Sequence, residues 1–358
     1  MRWWSALSGV GLIRLGTAAD AEEIKDTAKT QPLLVAAAML AAEHLPMYDV
    51  ALTTGHSVGE LGAAALAGVL SPEAAVTLAG VRGRAMAAAC GLQPTGMAAV
   101  LGGDPEEISA AIDAAGLHAA NFNGAGQIVA AGPVAALEKF AAEPPAGSRV
   151  KVLQVAGAFH TPYMAAAERE LAGLASGVPT AHAQKILLSN LDGTAVNSGR
   201  EMLQRLVRQV VAPVRWDLCM ASLADLGVTA VIELPPAGTL AGLVKRALPG
   251  VEIVKVNTPD DLAAARDLVA RHGVAPSAEP TPQFRVVVSG AAGNFSPDSA
   301  LAEGTDLRAG QLIGHVITRQ GAVEVAAHDS GVLTEWLAHH DDPVAPGQPL
   351  ARIGGHLA

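Results

Sequence analysis

The sequence predicts an α/β protein in which buried parallel strands alternate with helices, interrupted by a small α+β insertion and followed by a separate all-β region. Three observations predict it. Apolar runs such as KILLSN, TAVIEL and VEIVKV alternate with stretches of helical length between residues 163 and 272. From Gly96 to Ala156 the pattern changes to short units that read as strand, helix, strand, strand, helix, strand. Beyond residue 284 only short β segments occur, punctuated by Gly, Pro and Asp.

Composition supports this reading and excludes others. A chain of 358 residues is too long for one average domain. Half of it is hydrophobic but only 3% is aromatic, so small apolar side chains must pack helices closely against a sheet. A net charge of -10 argues against a general nucleic-acid binder, because phosphate neutralisation needs clustered Lys and Arg. Cys90 and Cys219 are far apart with apolar neighbours and read as buried thiols rather than a disulfide. The start, MRWWSALSGVGLIRL, is interrupted by Arg14 and lacks a cleavage site, and no later run reaches the roughly 18 apolar residues of a membrane span. A cytoplasmic protein with no membrane segment is the expectation.

Taken in order, two helices are expected between Asp20 and Leu45, the second capped by Thr30 with Pro32 in its first turn. DVALTT, residues 49–54, reads as a strand that leads into GHSVG and a small-residue helix ending near Gly68. Ser71-Pro72-Glu73 starts a further helix that runs past Arg82 to about Cys90. The β-α-β-β-α-β insertion, residues 95–156, is ferredoxin-like in order, and it splits an α/β core assigned to residues 1–94 and 157–272. Helices are expected around 163–175, 199–226, 238–248 and 259–272. GVAPSAEPTPQ, residues 273–283, reads as a linker, and residues 284–358 as a small β domain.

The strongest chemical signal is G-H-S-V-G at 55–59, between a predicted strand and a predicted helix. That is the hydrolase-like nucleophile elbow, in which a sharp turn exposes the serine hydroxyl at a helix start. Ser57 is the candidate nucleophile, and the next backbone N–H, that of Val58, is placed to face a developing oxyanion. A serine needs a positioned base. Of eleven histidines, His160 in GAFHTPYM follows a strand where the chain returns to the core, whereas His339, His340 and His44 lie in a turn or at a helix end.

The residues then suggest a family. GHSVGE (55–60), VRGRAMA (81–87), NFNGAGQIVAAG (121–132), GAFHTPYM (157–164), LVRQVVAPVRW (206–216) and ELPPAGTLAGLVKR (233–246) occur in that order. Together they resemble malonyl-CoA:acyl-carrier-protein transacylases and the acyltransferase domains of polyketide synthases, over residues 12–258. The resemblance implies that Ser57 is acylated and that His160 is its base and acid. It implies that Arg82 pairs with the substrate's free carboxylate, a role suited to a guanidinium's two parallel hydrogen bonds. It also implies that the Gln209 backbone carbonyl orients His160, that His56 and Asn123 lie near the site, and that Phe159 limits space beside the substrate α-carbon. Arg84 should point to another helix face. Malonyl-CoA is then the donor, acyl carrier protein the acceptor, and no permanently bound cofactor is needed. Lys245, Arg246, Arg205 and Arg208 are candidates for a basic surface facing an acidic carrier.

Two departures qualify that picture. The family begins with a strand and a Pro-Gly-Gln-Gly segment whose glutamine N–H is a second oxyanion donor, and nothing like it precedes Met39. The chain reads as starting late, and loss of one such donor costs on the order of a hundredfold in rate. Leu234-Pro235-Pro236-Ala237 stands where the family has Gly-Pro-Gly. The C-terminal region resembles a biotinyl/lipoyl-type sandwich, yet no lysine follows Lys255, and Gln320-Gly321 occupies the expected hairpin tip, so biotin or lipoate attachment is not expected. Two alternatives remain: a serine esterase or thioesterase using the same elbow, and a carrier-protein docking scaffold.

Overall fold

A small-residue face along the 19-residue helix Pro72–Cys90 organises the first half of the chain. In the computed structural model, which describes residues 1–274, 284–328 and 330–354, this helix packs against helices Arg2–Ser8, Thr27–Ala42, Gly59–Leu66 and Ala165–Ala175. Gly80 and Gly83 allow close approach, since a Cβ on Gly80 would stand 2.7 Å from the Ser8 carbonyl oxygen and one on Gly83 2.8 Å from that of Thr27. The buried centre of this helical layer is built from Leu12, Val35, Leu61, Val76, Leu78, Met86, Met164 and Met202. Ser71 caps the long helix as expected, its Oγ accepting from the Ala74 N–H at 3.1 Å.

Two expectations for helices are corrected, and a third region forms helices that no expectation covers. Helix Thr27–Ala42 starts one turn early because Asp26, not Thr30, is its cap, accepting from the Ala28 N–H at 3.0 Å, and Pro32 therefore lies inside it. Residues 2–18, left unassigned above, form two short helices, Arg2–Ser8 and Leu12–Ala18, with Leu12 and Leu15 fully buried. The expected helix 199–226 is two helices, Gly199–Arg208 and Trp216–Asp225, separated by the two-residue strand Val214–Arg215. Pro213 sits at that break, where a helix cannot continue.

The parallel strands are shorter than the apolar runs that announce them. Leu52–Thr53 pairs with Ile186–Leu187, and Ala230–Glu233 pairs with Glu252–Lys255, both in parallel. Between these two pairs lies a cavity of about 640 Å³ lined by residues of both, including Leu52, Thr53, Val231 and Ile232, and reaching the elbow at His56 and Val58. The insertion forms a sheet in the order Ser148–Val152, Thr95–Gly102, Gln127–Pro133, His118–Gly124, all antiparallel, with helices Pro105–Ala114 and Val134–Ala142 packed on it. Val214–Arg215 extends this sheet in parallel beside Asn121 and Phe122, which ties the insertion to the segment that follows Gln209.

The chain divides into two compact units at residues 275/276. The linker 273–283 falls mostly outside the described residues, although the Val274 N–H still donates to the Asp49 carbonyl at 3.0 Å. The second unit contains two four-stranded antiparallel sheets. Phe295, Ile313, Val316, Leu333 and Leu350 are buried in its core. The tip after Thr318 is closed by Thr318 Oγ1, which accepts from the Gln320 N–H and donates to the Gly321 carbonyl.

The Leu234–Ala237 loop, where the sequence departs from the family pattern, is held by two side chains. Glu233 accepts from the N–H groups of Gly238, Leu240 and Ala241 at 2.7–2.9 Å and so caps helix Thr239–Ala247, while Asn257 accepts from the Ala237 N–H at 2.7 Å and donates to its carbonyl. Glu233→Ala leaves three donors without an acceptor and is expected to cost about 2 kcal/mol. Thermal unfolding followed by circular dichroism should show a midpoint several degrees lower, and an unchanged midpoint would show that the loop does not depend on the carboxylate.

Candidate active site

The site begins with a turn too tight for most residues. A Cβ on Gly55 would collide with the Gly59 backbone carbonyl, so the first glycine of G-H-S-V-G is sterically required. The second is not: a Cβ on Gly59 would meet nothing within 4 Å. Between them Ser57 adopts φ +54°, the left-handed region that non-glycine residues rarely occupy. The helix Gly59–Leu66 follows at once, with Val58 as its N-cap residue.

Three distant stretches meet at the Ser57 hydroxyl. His160 Nε2 lies 2.8 Å from Ser57 Oγ, and Arg82 Nη2 donates to the same oxygen at 3.1 Å. His160 Nδ1 lies 3.0 Å from the Gln209 carbonyl oxygen. A carbonyl only accepts, so this bond fixes the proton on Nδ1 and leaves Nε2 free to accept from the serine. His160 is itself left-handed, at φ +61°, and only 4% exposed. The Arg82 guanidinium is buried and braced by two amides, donating to Gln31 Oε1 at 2.6 Å and to Gln209 Oε1 at 3.2 Å.

The other predicted residues surround this centre. His56 Nε2 and Asn123 Oδ1 are 2.9 Å apart, and the His56 ring meets Trp216 edge-on at 5.5 Å. Phe159, next to His160, is half-buried and packs with Tyr163 and the cluster around Met97 and Val129. Arg84 does turn to another face, donating to the Ser8 carbonyl at 2.5 Å. The expected basic surface is weaker than its residue count suggests: Arg205 is neutralised by Asp192 at 2.7 Å and Glu201 at 2.8 Å, and Arg208 faces Glu168 at 3.3 Å, whereas Lys245 and Arg246 are exposed.

Sequence reasoning missed Gln31, Glu60 and Asn190. Gln31 is a buried amide between the polar first turn and the apolar remainder of its helix, and Asn190 ends the apolar run KILLSN at the strand's carboxyl side, where α/β sites gather. Glu60 is 1% exposed, with Oε1 accepting from the Asn190 N–H at 2.7 Å.

Burial sets the electrostatics. It pushes the His160 imidazole down to about 3, with the Arg82 charge adding to the effect and the Gln209 carbonyl opposing it, so the ring is neutral at physiological pH. Burial lowers Arg82 to about 10, which leaves it cationic, and lowers His56 as well. Cys219 is pushed up to about 12 by burial and Cys90 is also raised, so neither thiol is poised to ionise. A neutral imidazole on a hydroxyl, beside a guanidinium, can activate that hydroxyl against an ester or thioester whose other end is anionic.

Chain comparisons agree in kind. A family model described as an acyl transferase domain matches residues 6–263. The malonyl CoA-acyl carrier protein transacylase of Mycolicibacterium smegmatis is 52% identical over 267 residues, 72% of this chain and 92% of that protein. The crystal structure of MCAT from Mycobacterium tuberculosis superposes with a TM-score of 0.72 at 49% identity, over 74% of this chain and 89% of that one. A type II PKS acyl-carrier protein in complex with its malonyl-transacylase, PlMCAT:AntF, is similar with a TM-score of 0.70 at 29% identity, over the same shares.

Glu60 carries the site's clearest pH signature. Burial raises its carboxyl from an ordinary 4.5 to about 8. The folded chain therefore holds a proton that the unfolded chain has lost, so Glu60's contribution to stability is full below pH 4.5 and declines as pH rises towards 8, by up to roughly 1.4 kcal/mol per pH unit. Glu60→Gln should flatten that decline in urea unfolding between pH 5 and 8. An identical slope in the variant would show that Glu60 does not hold the proton.

Proposed function

We propose, from the premise that the chain belongs to the acyl transferase domain family, that it transfers a malonyl group from malonyl-CoA to the phosphopantetheine thiol of acyl carrier protein. The observation that carries this reading is the meeting of His160 Nε2 and Arg82 Nη2 at one oxygen, Ser57 Oγ, at 2.8 and 3.1 Å. Ser57 Oγ attacks the thioester carbonyl while His160 Nε2 takes its proton. The Val58 N–H faces the oxyanion. The carbon–sulfur bond then breaks, the proton passes from His160 to the departing CoA sulfur, and a malonyl ester remains on Ser57. In the second half the carrier's thiol gives its proton to His160 and attacks that ester, the carbon–oxygen bond breaks, and Ser57 recovers its proton. His160 is base and then acid in each half, with its tautomer set by the Gln209 carbonyl.

Arg82 supplies the selectivity. Its guanidinium is already desolvated and oriented by Gln31 and Gln209, so a malonyl carboxylate gains a strong charge-assisted bond, whereas an acetyl group leaves the charge unmatched. His56 and Asn123 join the elbow to residues 95–156, which we read as a ferredoxin-like subdomain that walls the substrate, with Phe159 limiting the α-carbon. We read residues 284–358 as a biotinyl/lipoyl-like sandwich without its attachment lysine, used for docking or subunit contact. Among the described residues no helix is long and apolar enough to cross a membrane. We read the protein as a cytoplasmic enzyme of fatty acid or polyketide synthesis.

Mixing the protein with malonyl-CoA and measuring its intact mass should give one malonyl adduct, mapped to Ser57 and discharged faster by thiol than by water. Discharge to water alone would indicate a hydrolase. Arg82→Ala is expected to lower kcat/KM for malonyl-CoA by about a hundredfold or more while changing acetyl-CoA little. Equal losses for both donors would refute the carboxylate clamp. Because the Arg82 charge holds His160 down, the same variant should also move the acid limb of the malonyl-transfer pH profile to higher pH.

A further inference from the structure

Asn190 follows the short strand Ile186–Leu187 and is fully buried. All of its polar groups are engaged. Its side-chain Oδ1 accepts from the Ser57 N–H at 2.7 Å, and its Nδ2 donates to the Gly55 carbonyl at 2.8 Å and lies 3.7 Å from the Cys219 sulfur. Its backbone N–H donates to Glu60 Oε1 at 2.7 Å, and its carbonyl accepts from the Arg215 N–H at 2.7 Å. One amide thus grips the chain on both sides of His56, while the helix that grows from the elbow holds that amide's own backbone through Glu60.

The turn needs such a grip. A non-glycine residue held at positive φ costs on the order of 1–2 kcal/mol and persists only where its surroundings over-determine it. A hydroxyl displaced by about 1 Å can lose on the order of a hundredfold in rate. The bond to Oδ1 also engages the Ser57 N–H, which leaves the oxyanion to the Val58 N–H in the mechanism above.

We propose that Asn190 is a positioning residue for the nucleophile: its side-chain amide, with its backbone anchored by Glu60, holds Ser57 in the left-handed conformation that aims the hydroxyl at His160. The proposal rests on the reading that Ser57 is the acylated residue. Asn190→Asp separates its two bonds. An aspartate accepts from the Ser57 N–H in either protonation state, but it donates to the Gly55 carbonyl only when protonated. Its bonded neighbours Glu60 and the Cys219 thiol are ionisable, Arg82, Arg205 and Asp192 act on the first and Asp217 on the second, and Arg215 bonds its carbonyl through a backbone N–H.

The experiment is quenched-flow acylation by malonyl-CoA, read as intact mass on wild-type, Asn190→Ala and Asn190→Asp chains, with the folded fraction taken from circular dichroism. Wild-type should acylate on Ser57. Asn190→Ala should acylate about a hundredfold more slowly per folded molecule at saturating malonyl-CoA, with half-saturation little changed. The ratio of Asn190→Asp to wild-type rates should fall as pH rises. A folded Asn190→Ala that acylates at the wild-type rate, or an Asn190→Asp ratio flat with pH, overturns the proposal. If Asn190→Ala does not fold, the Asn190→Asp profile decides alone. Wild-type protein that forms no Ser57 adduct removes the premise itself, a result distinct from either variant's behaviour.

Discussion

A serine hydroxyl 2.8 Å from an imidazole and 3.1 Å from a guanidinium depends on a backbone that would not choose that shape unaided. Ser57 and His160 both sit at positive φ, and each bonds to a distant stretch, the Ser57 N–H to Asn190 Oδ1 and the His160 ring to the Gln209 carbonyl. The local turn demands Gly55, and the long-range bonds demand that the strand Ile186–Leu187 and the segment after Arg208 lie beside it. Much of the surrounding fold serves to deliver those partners. The close packing of helix Thr27–Ala42 on Pro72–Cys90, permitted at Gly83, brings Gln31 onto Arg82. The short strand Val214–Arg215 fastens the segment after Gln209 to the insertion that carries Asn123.

Burial then does chemical work on what the fold has gathered. Burial disfavours the charged form of both groups, and Arg82, with the higher intrinsic pKa, keeps its proton while His160, lowered by burial first and by the Arg82 charge second, stays neutral. That is the protonation state a general base requires. A malonyl carboxylate arriving at Arg82 would offset the guanidinium's charge and so ease protonation of His160 in the step where serine gives up its proton. On the proposed reading, binding of the substrate's far end and activation of Ser57 are coupled through one charge.

Some of this architecture was legible in the residues and some was not, for reasons that are physical. The elbow could be read because a strand, a glycine and a helix start must follow one another within a few residues, and the alternation of strands and helices because burial leaves a periodic trace. The parallel strands were placed correctly but drawn too long, since an apolar run marks burial whereas a strand needs a paired neighbour, and here only two to four residues of each run have one. Thr30 looked like a cap because Pro32 favours a first turn, yet Asp26 lies earlier and its carboxylate is free to accept. Gln31 and Asn190 give almost no signal, because a lone amide looks the same in sequence whether it satisfies a core or bonds to an active-site residue. Gly59 showed the opposite failure, since it matches the motif but its lack of a side chain is not needed.

The claim beneath all of this is spatial, that one pocket holds the ester on Ser57 and the free carboxylate on Arg82 at the same time. A crystal structure of the protein after brief exposure to malonyl-CoA tests it most directly. The account predicts continuous density for a malonyl ester on Ser57 Oγ, with its terminal carboxylate in hydrogen-bonding contact with the Arg82 guanidinium and His160 Nε2 beside the ester oxygen. An acylated Ser57 whose carboxylate points away from Arg82 into solvent would contradict it.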